Sequence, residues 1–252
     1  MSFKCTGARY IGEKHDICQD EIIYKENENH SIIAVSDGAG SKKFSHIGAR
    51  KALFTLNRFF EKCDFPEGEF DMEEFAEFIK GELVSDINAA IHTAAWQQDM
   101  PKSEFACTVV FTVVYKDQYY ITGHIGDGGI VSQIGDRMEI LSGPENGEYK
   151  NTTYFITDAD AQSHMRITVS KLEENRTAFL LCSDGISDLL FHKTEGADEI
   201  SKVAQLMCGW LKSAKDEDEI EKVREAYESN LCNTFSKKSK DDLSLCVMCV
   251  NN

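Results

Sequence analysis

The sequence holds only three prolines, Pro66, Pro101 and Pro144, and no Pro/Gly/Ser-rich stretch, internal repeat or low-complexity tract. With nothing to divide it, the chain is expected to form one domain over residues 1–252. No apolar run reaches the length that crosses a membrane, and the opening MSFKCTGARYIGEKHD lacks the apolar centre of a secretory signal. A soluble, cytoplasmic, monomeric protein with no membrane partner is expected. Basic residues are in deficit. Lys and Arg number 27 against 43 Asp and Glu, a formal net charge of −16, which excludes nucleic acid from the expected partners.

Several chemistries are missing as well. No cysteine is followed six residues later by arginine, so the spacing of cysteine-nucleophile phosphatases is absent. No His-Glu-x-x-His occurs, and Gly38-Ala39-Gly40-Ser41-Lys42 lacks the Gly-Lys-Ser/Thr of a nucleotide-binding loop. The nine cysteines are odd in number, and Cys107, Cys182, Cys246 and Cys249 sit inside apolar runs. They read as small buried hydrophobes rather than a disulfide framework. Cys246 and Cys249 fall on a predicted strand, where residues three apart face opposite ways, and no second pair stands at zinc spacing.

What is present is an ordered alternation of strand and helix signals. The first forty residues read as strands, with Ile32–Val35 ending at Ser36-Asp37-Gly38. From Ile47 the apolar period becomes helical through Ala52, Leu53, Leu56, Phe59 and Phe60. A second helix carries the stripe Phe75, Ile79, Leu83, Ile87, Ile91 and Ala94. Residues 107–115 and 119–125 read as paired strands turning at Lys116-Asp117, followed by Ile130-Val131. Residues 142–176 read as irregular and polar, with a strand at 154–157. Then come a strand at 178–182, helices near 198–211 and 217–231, and a closing strand at 243–250. Helices in pairs, rather than singly between strands, predict an α+β fold with antiparallel sheets.

Aspartates mark the strand ends. Asp37, Asp127 and Asp184 each follow an apolar strand and precede glycine; Asp20 and the Asp241-Asp242 pair each precede one. Any single Asp-Gly is ordinary turn chemistry. Sheet edges gather strand ends, however, and carboxylates brought together there repel unless a cation lies between them. Carboxylate oxygen is the natural ligand of Mg²⁺, Mn²⁺ and Ca²⁺.

These pieces, in this order, resemble the protein phosphatase 2C type, the metal-dependent serine/threonine phosphatases, in a bacterial-like form. The segments that carry the resemblance are Cys18-Gln19-Asp20-Glu21, Ala34 to Ser41, Gly48-Ala49, Ala106-Cys107-Thr108, Ile125 to Gly128, Leu180 to Asp188 and Lys240 to Ser244. The resemblance implies two antiparallel sheets packed as a sandwich with helix pairs outside, an αββα four-layer arrangement. It implies hydrolysis of phosphoserine and phosphothreonine by water activated between two Mn²⁺ or Mg²⁺ ions. Asp37 would bridge both ions, the Gly38 carbonyl and Asp20 would complete one shell, and Asp184 and Asp241 would hold the other. Asp127 and Asp188 would border a weaker third site. The implied partners are a phosphorylated protein substrate and a cognate Ser/Thr kinase.

Three positions depart from the pattern. Where the family carries a phosphate-clamping arginine this chain has His15, with Lys14 beside it and Arg9 an alternative clamp. Ala39 stands where animal members carry a histidine, so either a metal-bound water or another group such as His46 would protonate the leaving oxygen, or the step would run slowly. Asp242 replaces an asparagine. These departures leave open a phosphatase-like scaffold without turnover, and the substrate class leaves open a small phosphoester.

Overall fold

The computed structural model describes residues 3–13, 15–116, 118–145, 153–194, 197–200 and 202–250. In chain order the elements are β1 (Phe3–Tyr10), β2 (Glu21–Glu26), β3 (His30–Ser36), α1 (Ser45–Lys62), α2 (Met72–Gln97), β4 (Val109–Tyr115), β5 (Tyr119–Ile125), β6 (Gly129–Ile134) and β7 (Arg137–Ser142). They continue as α3 (Ala161–His164), β8 (Arg166–Lys171), β9 (Arg176–Cys182), α4 (Asp184–Leu190), β10 (Phe191–Thr194), β11 (Ala197–Ile200), α5 (Lys202–Ser213), α6 (Glu217–Asn230) and β12 (Leu243–Val250). A 3-10 turn, Lys102–Phe105, precedes β4.

Two five-stranded antiparallel sheets result, ordered β1-β12-β9-β6-β7 and β2-β3-β4-β5-β8, and β10 pairs with β11 as a separate hairpin. Strand alternation divides each central strand between two cores. In β3, Ile33 and Val35 face the other sheet and join Phe179, Leu181, Cys246 and Met248 between the layers. Ile32 and Ala34 face outward and meet Leu53 and Leu56 of α1 and Ile79, Leu83 and Ile87 of α2. On the opposite side Leu180, Leu245, Val247 and Cys249 pack under Met207 and Leu211 of α5 and Tyr227 of α6. The αββα order implied by the family resemblance is observed. All nine cysteines are free, and Cys246 and Cys249 do face opposite layers. Among the described residues no helix is long and apolar enough to cross a membrane.

The helix starts are chemically marked. Asp71 caps α2 by accepting from the amides of Glu73 (2.9 Å) and Glu74 (3.1 Å), a contact worth about 1 kcal/mol. Asp216 caps α6 through the Glu219 amide at 2.8 Å.

Three expectations need correction. The helix placed at 198–211 begins at Lys202, because residues 197–200 pair in register with 191–194 and their backbone groups belong to that ladder. Residues 154–157 form no strand: the Ile156 amide donates to the Cys107 carbonyl (2.9 Å) and the Asn88 side chain to the Ile156 carbonyl (3.0 Å), which fixes them as a turn against α2. The stretch read as irregular contains β8, and β7 went unread before it. Both are edge strands, and in β8 only Val169 is buried, so their hydrophobic alternation is diluted. Asp117, of the expected turn, lies outside the described residues.

Gly48 sets how closely α1 approaches the chain entering β4. A Cβ there would lie 2.0 Å from the Phe105 carbonyl oxygen. Alanine in a helix interior normally gains up to about 1 kcal/mol over glycine. Here overpacking dominates, and Gly48→Ala is expected to lower stability by about 1–3 kcal/mol. Urea unfolding measures it, and an unchanged or raised midpoint would show that the approach is not rigid.

Candidate metal centre

Antiparallel pairing puts the ends of β3, β5 and β9 and the starts of β2 and β12 at one end of the sandwich. Glu21 pairs with Ser36, Val109 with Ile125, and Cys182 with both Gly129 and Leu245. The aspartates next to these positions therefore converge. Among the described residues, the one group of side chains close enough to share a metal ion is Asp37, Asp127 and Asp184, each with an oxygen within 4.8 Å of the others. The three line a cavity of about 170 Å³ together with Asp241, Ala39, Gly40, Ser41, Thr108, Thr153 and Phe155. Larger hollows of about 430 and 480 Å³ lie by the C-terminal end of α1 and between α1 and α2. They lack this convergence of donors, and chemistry rather than size marks the site.

Small polar residues fix the loops. Thr108 donates its amide to the Asp37 carbonyl (2.8 Å) and accepts the Asp37 amide on its hydroxyl (3.0 Å). Gly126, at φ +121°, passes so close to Thr108 that a Cβ would lie 2.6 Å from its Cβ, so the turn into Asp127 requires glycine twice over. The Ser187 hydroxyl lies 3.1 Å from the carbonyls of both Asp127 and Asp184, joining two of the ligand loops. The Ser244 hydroxyl donates to Asp20 Oδ2 at 2.6 Å, and the Ser244 amide donates to the Ser183 hydroxyl at 3.1 Å. Gly38 lies against the Gln19 carbonyl, where a Cβ would stand at 2.8 Å, and this brings the Asp20 loop onto the Asp37 loop.

The electrostatics follow from this crowding. Asp20 is 1% exposed, and among the described residues its Oδ1 has no hydrogen-bond partner. Burial pushes its carboxyl up to about 7; the Ser244 bond opposes this, and the charges of Asp242 and Asp184 add to it. Asp37 is open to the cavity on one side only and titrates well above the usual carboxylate range, chiefly through burial and then through Asp20, Asp184 and Asp127. Carboxylates so placed must hold protons or a cation. The donors are all oxygen, which fits a hard divalent ion, and a buried oxygen without a partner is what such an ion would satisfy.

The remaining predicted residues fall around this group. His15 lies on the 11–19 loop, its Nδ1 3.1 Å from Asp242 Oδ2. Arg9 does not line the cavity: Nη1 donates to the Asp20 carbonyl at 2.5 Å and lies 3.3 Å from Glu21. His46 occupies the first turn of α1, where partial burial and then Arg50 lower its pKa, and no described contact joins it to the carboxylates. Asp188 lies in α4, but its side chain is outside the described residues, as is Lys14. Sequence reasoning gave no role to Ser183, Ser187, Ser244, Thr153 or Phe155. The three serines adjoin the aspartate segments, whereas Thr153 and Phe155 lie far from them in sequence and carried no signal.

Known proteins share this fold. The chain is 24% identical over 251 residues to "Serine/threonine-protein phosphatase 3" of Escherichia coli K12, covering 96% of each. Its structure superposes on an S. agalactiae serine/threonine phosphatase with a TM-score of 0.67 at 17% identity, covering 98% of this chain and 99% of that one. It superposes on the serine/threonine phosphatase Stp1 of Staphylococcus aureus with a TM-score of 0.66 at 16% identity, covering 100% and 96%. The sequence pattern of "Protein phosphatase 2C" runs through residues 8–226, from β1 into α6, and by that match the chain belongs to the protein phosphatase 2C family.

Proposed function

We propose that the protein is a divalent-metal-dependent phosphatase that removes phosphate from phosphoserine and phosphothreonine in proteins, with residues 1–252 acting as one catalytic domain opposed to a Ser/Thr kinase. One observation carries this reading: Asp37, Asp127 and Asp184 converge within 4.8 Å in a cavity that, among the described residues, no lysine or arginine lines. The serine/threonine phosphatases named above, of nearly the same length, support the substrate class.

The residues assigned to two Mn²⁺ or Mg²⁺ ions are Asp37 for both, Asp20 and the Gly38 carbonyl for one, and Asp184 and Asp241 for the other. Asp127 and Asp188 are assigned to a third, weaker site. Bound there, such ions would activate water as the nucleophile and neutralise charge growing on the phosphoryl oxygens. The chain supplies position. The Ser187 and Thr108 bonds hold the Asp37, Asp127 and Asp184 loops at fixed separation, and Ser244 orients Asp20. A cavity of about 170 Å³ accepts a phosphomonoester head and leaves the peptide on the surface outside. No ligand role is assigned to His46, which lies in the first turn of α1. The scaffold reading loses ground because the carboxylates are not only retained but gathered.

Asp37→Asn and Asp184→Asn are each expected to reduce Mn²⁺-dependent hydrolysis of a phosphothreonine peptide by at least about 10²-fold, beyond what outer-shell changes produce. Circular dichroism should be unchanged. Full turnover in either variant would refute the assignment.

The Ser244 hydroxyl touches Asp20 from behind, so Ser244→Ala is expected to weaken Mn²⁺ binding by about 10–100-fold. Calorimetric titration reads the affinity, and an unaltered value would remove Ser244 from the site.

Raised carboxyl pKa values also fix a pH dependence. Without metal, folded Asp20 holds its proton up to about 7, whereas an unfolded aspartate loses it near about 3.9. The stability this contributes is complete below about pH 4 and is lost as pH rises through about 7. Metal must displace that proton below pH 7 and meets a bare carboxylate above it. The rise in melting temperature on adding Mn²⁺ is therefore expected to be larger at pH 8 than at pH 5.5. Equal rises would show that Asp20 is already ionised.

A further inference from the structure

The Asp241-Asp242 pair sends two carboxylates in different directions. Asp241 lines the cavity, while Asp242, 2% exposed, turns into the 12–19 loop. Its Oδ1 accepts the Gly12 amide at 2.7 Å and its Oδ2 the Gln19 amide at 2.6 Å. Oδ2 also lies 3.1 Å from His15 Nδ1, an atom sealed from solvent. The angle there is not yet that of a hydrogen bond, but no other described acceptor pairs with Nδ1. The far edge of the imidazole rests on Gly40: a Cβ on that residue would stand 3.2 Å from His15 Nε2 and 3.6 Å from Cε1. Gly40 lines the cavity. The ring thus has one nitrogen against a buried carboxylate and the other against Gly40 at the cavity wall.

We propose that Asp242 is a positioning residue that fixes His15 through Nδ1, so that Nε2 serves as the hydrogen-bond donor to the phosphoryl oxygens of the substrate. This rests on the phosphatase reading above. The two departures from the family pattern, His15 for arginine and Asp242 for asparagine, are then one change, because the structure brings them into contact. A neutral imidazole cannot donate from both nitrogens. Donation to both Asp242 and a phosphoryl oxygen therefore takes a ring protonated at both nitrogens. An asparagine at 242 would offer one acceptor in place of two, to three donors.

A double-mutant cycle tests the pairing: wild type, His15→Gln, Asp242→Asn and the double variant. The readouts are kcat/KM on a phosphothreonine peptide with Mn²⁺ and competitive inhibition by inorganic phosphate. Each single variant is expected to lose about tenfold or more in both, with the double variant no worse than the weaker single, as for residues acting as one unit. His15→Gln should leave the Mn²⁺-induced thermal shift unaltered, which a general disturbance of the loop would not. Losses that multiply, or phosphate inhibition unchanged in His15→Gln, would overturn the proposal. Nitrogen NMR of the wild type gives a check that needs no variant: a His15 Nδ1 without a proton at pH 7 overturns it as well. A wild type inert with Mn²⁺ would instead sink the phosphatase reading, whereas an active wild type with multiplying losses sinks only the pair.

Discussion

Like-charge repulsion organises this protein. Four aspartates from four separate loops line one small cavity, and a fifth, Asp20, is buried beside them. At an effective dielectric of about 20, two charges 4 Å apart repel by about 4 kcal/mol, so several ionised together would exceed the effect of any single packing contact. The sandwich must therefore be stable enough to hold the strand ends in place, and the cluster must be filled by protons or cations. The raised titration of Asp20 and Asp37 expresses the first alternative, and a divalent ion is the second.

The surrounding hydroxyl groups make that tension tolerable. Thr108 and Ser183 in loops, Ser187 in α4 and Ser244 in β12 are all buried and hydrogen-bonded around the site. Each ties a backbone group or ligand of one loop to another. A hydrophobic residue of similar size would pack as well but would leave buried polar groups unpaired, at about 1–3 kcal/mol each. The second layer of the site is thus also part of what keeps the two sheets in register at that end.

Much of this was legible in the sequence for a physical reason. Central strands covered on both faces read as unbroken apolar runs, so β3, β9 and β12 stood out, and the single stripe from Phe75 to Ala94 identified α2. The aspartates were legible because each sits where such a run stops. Edge strands β7 and β8 were not, since solvent on part of their surface permits Arg, Glu, Ser and Lys among the apolar residues. The turn at 154–157 was mistaken for a strand because Tyr154, Phe155 and Ile156 are bulky, although their backbone groups bond to α2 and to the residue before Thr108. The serines of the second layer carry no periodic signature. The contact of His15 with Asp242 joins opposite ends of the chain, and local pattern does not report it.

One topological detail bears on how the chain reaches this state. β12 lies between β1 and β9, flanked on both sides by strands made long before it. Until residues 243–250 leave the ribosome, β1 and β9 have no partner between them and the apolar surfaces of the sheet lie open. Insertion of that last strand closes the sheet and delivers Asp241 and Asp242 in the same event. A newly made chain accordingly has its full set of cavity aspartates only once that strand is in place.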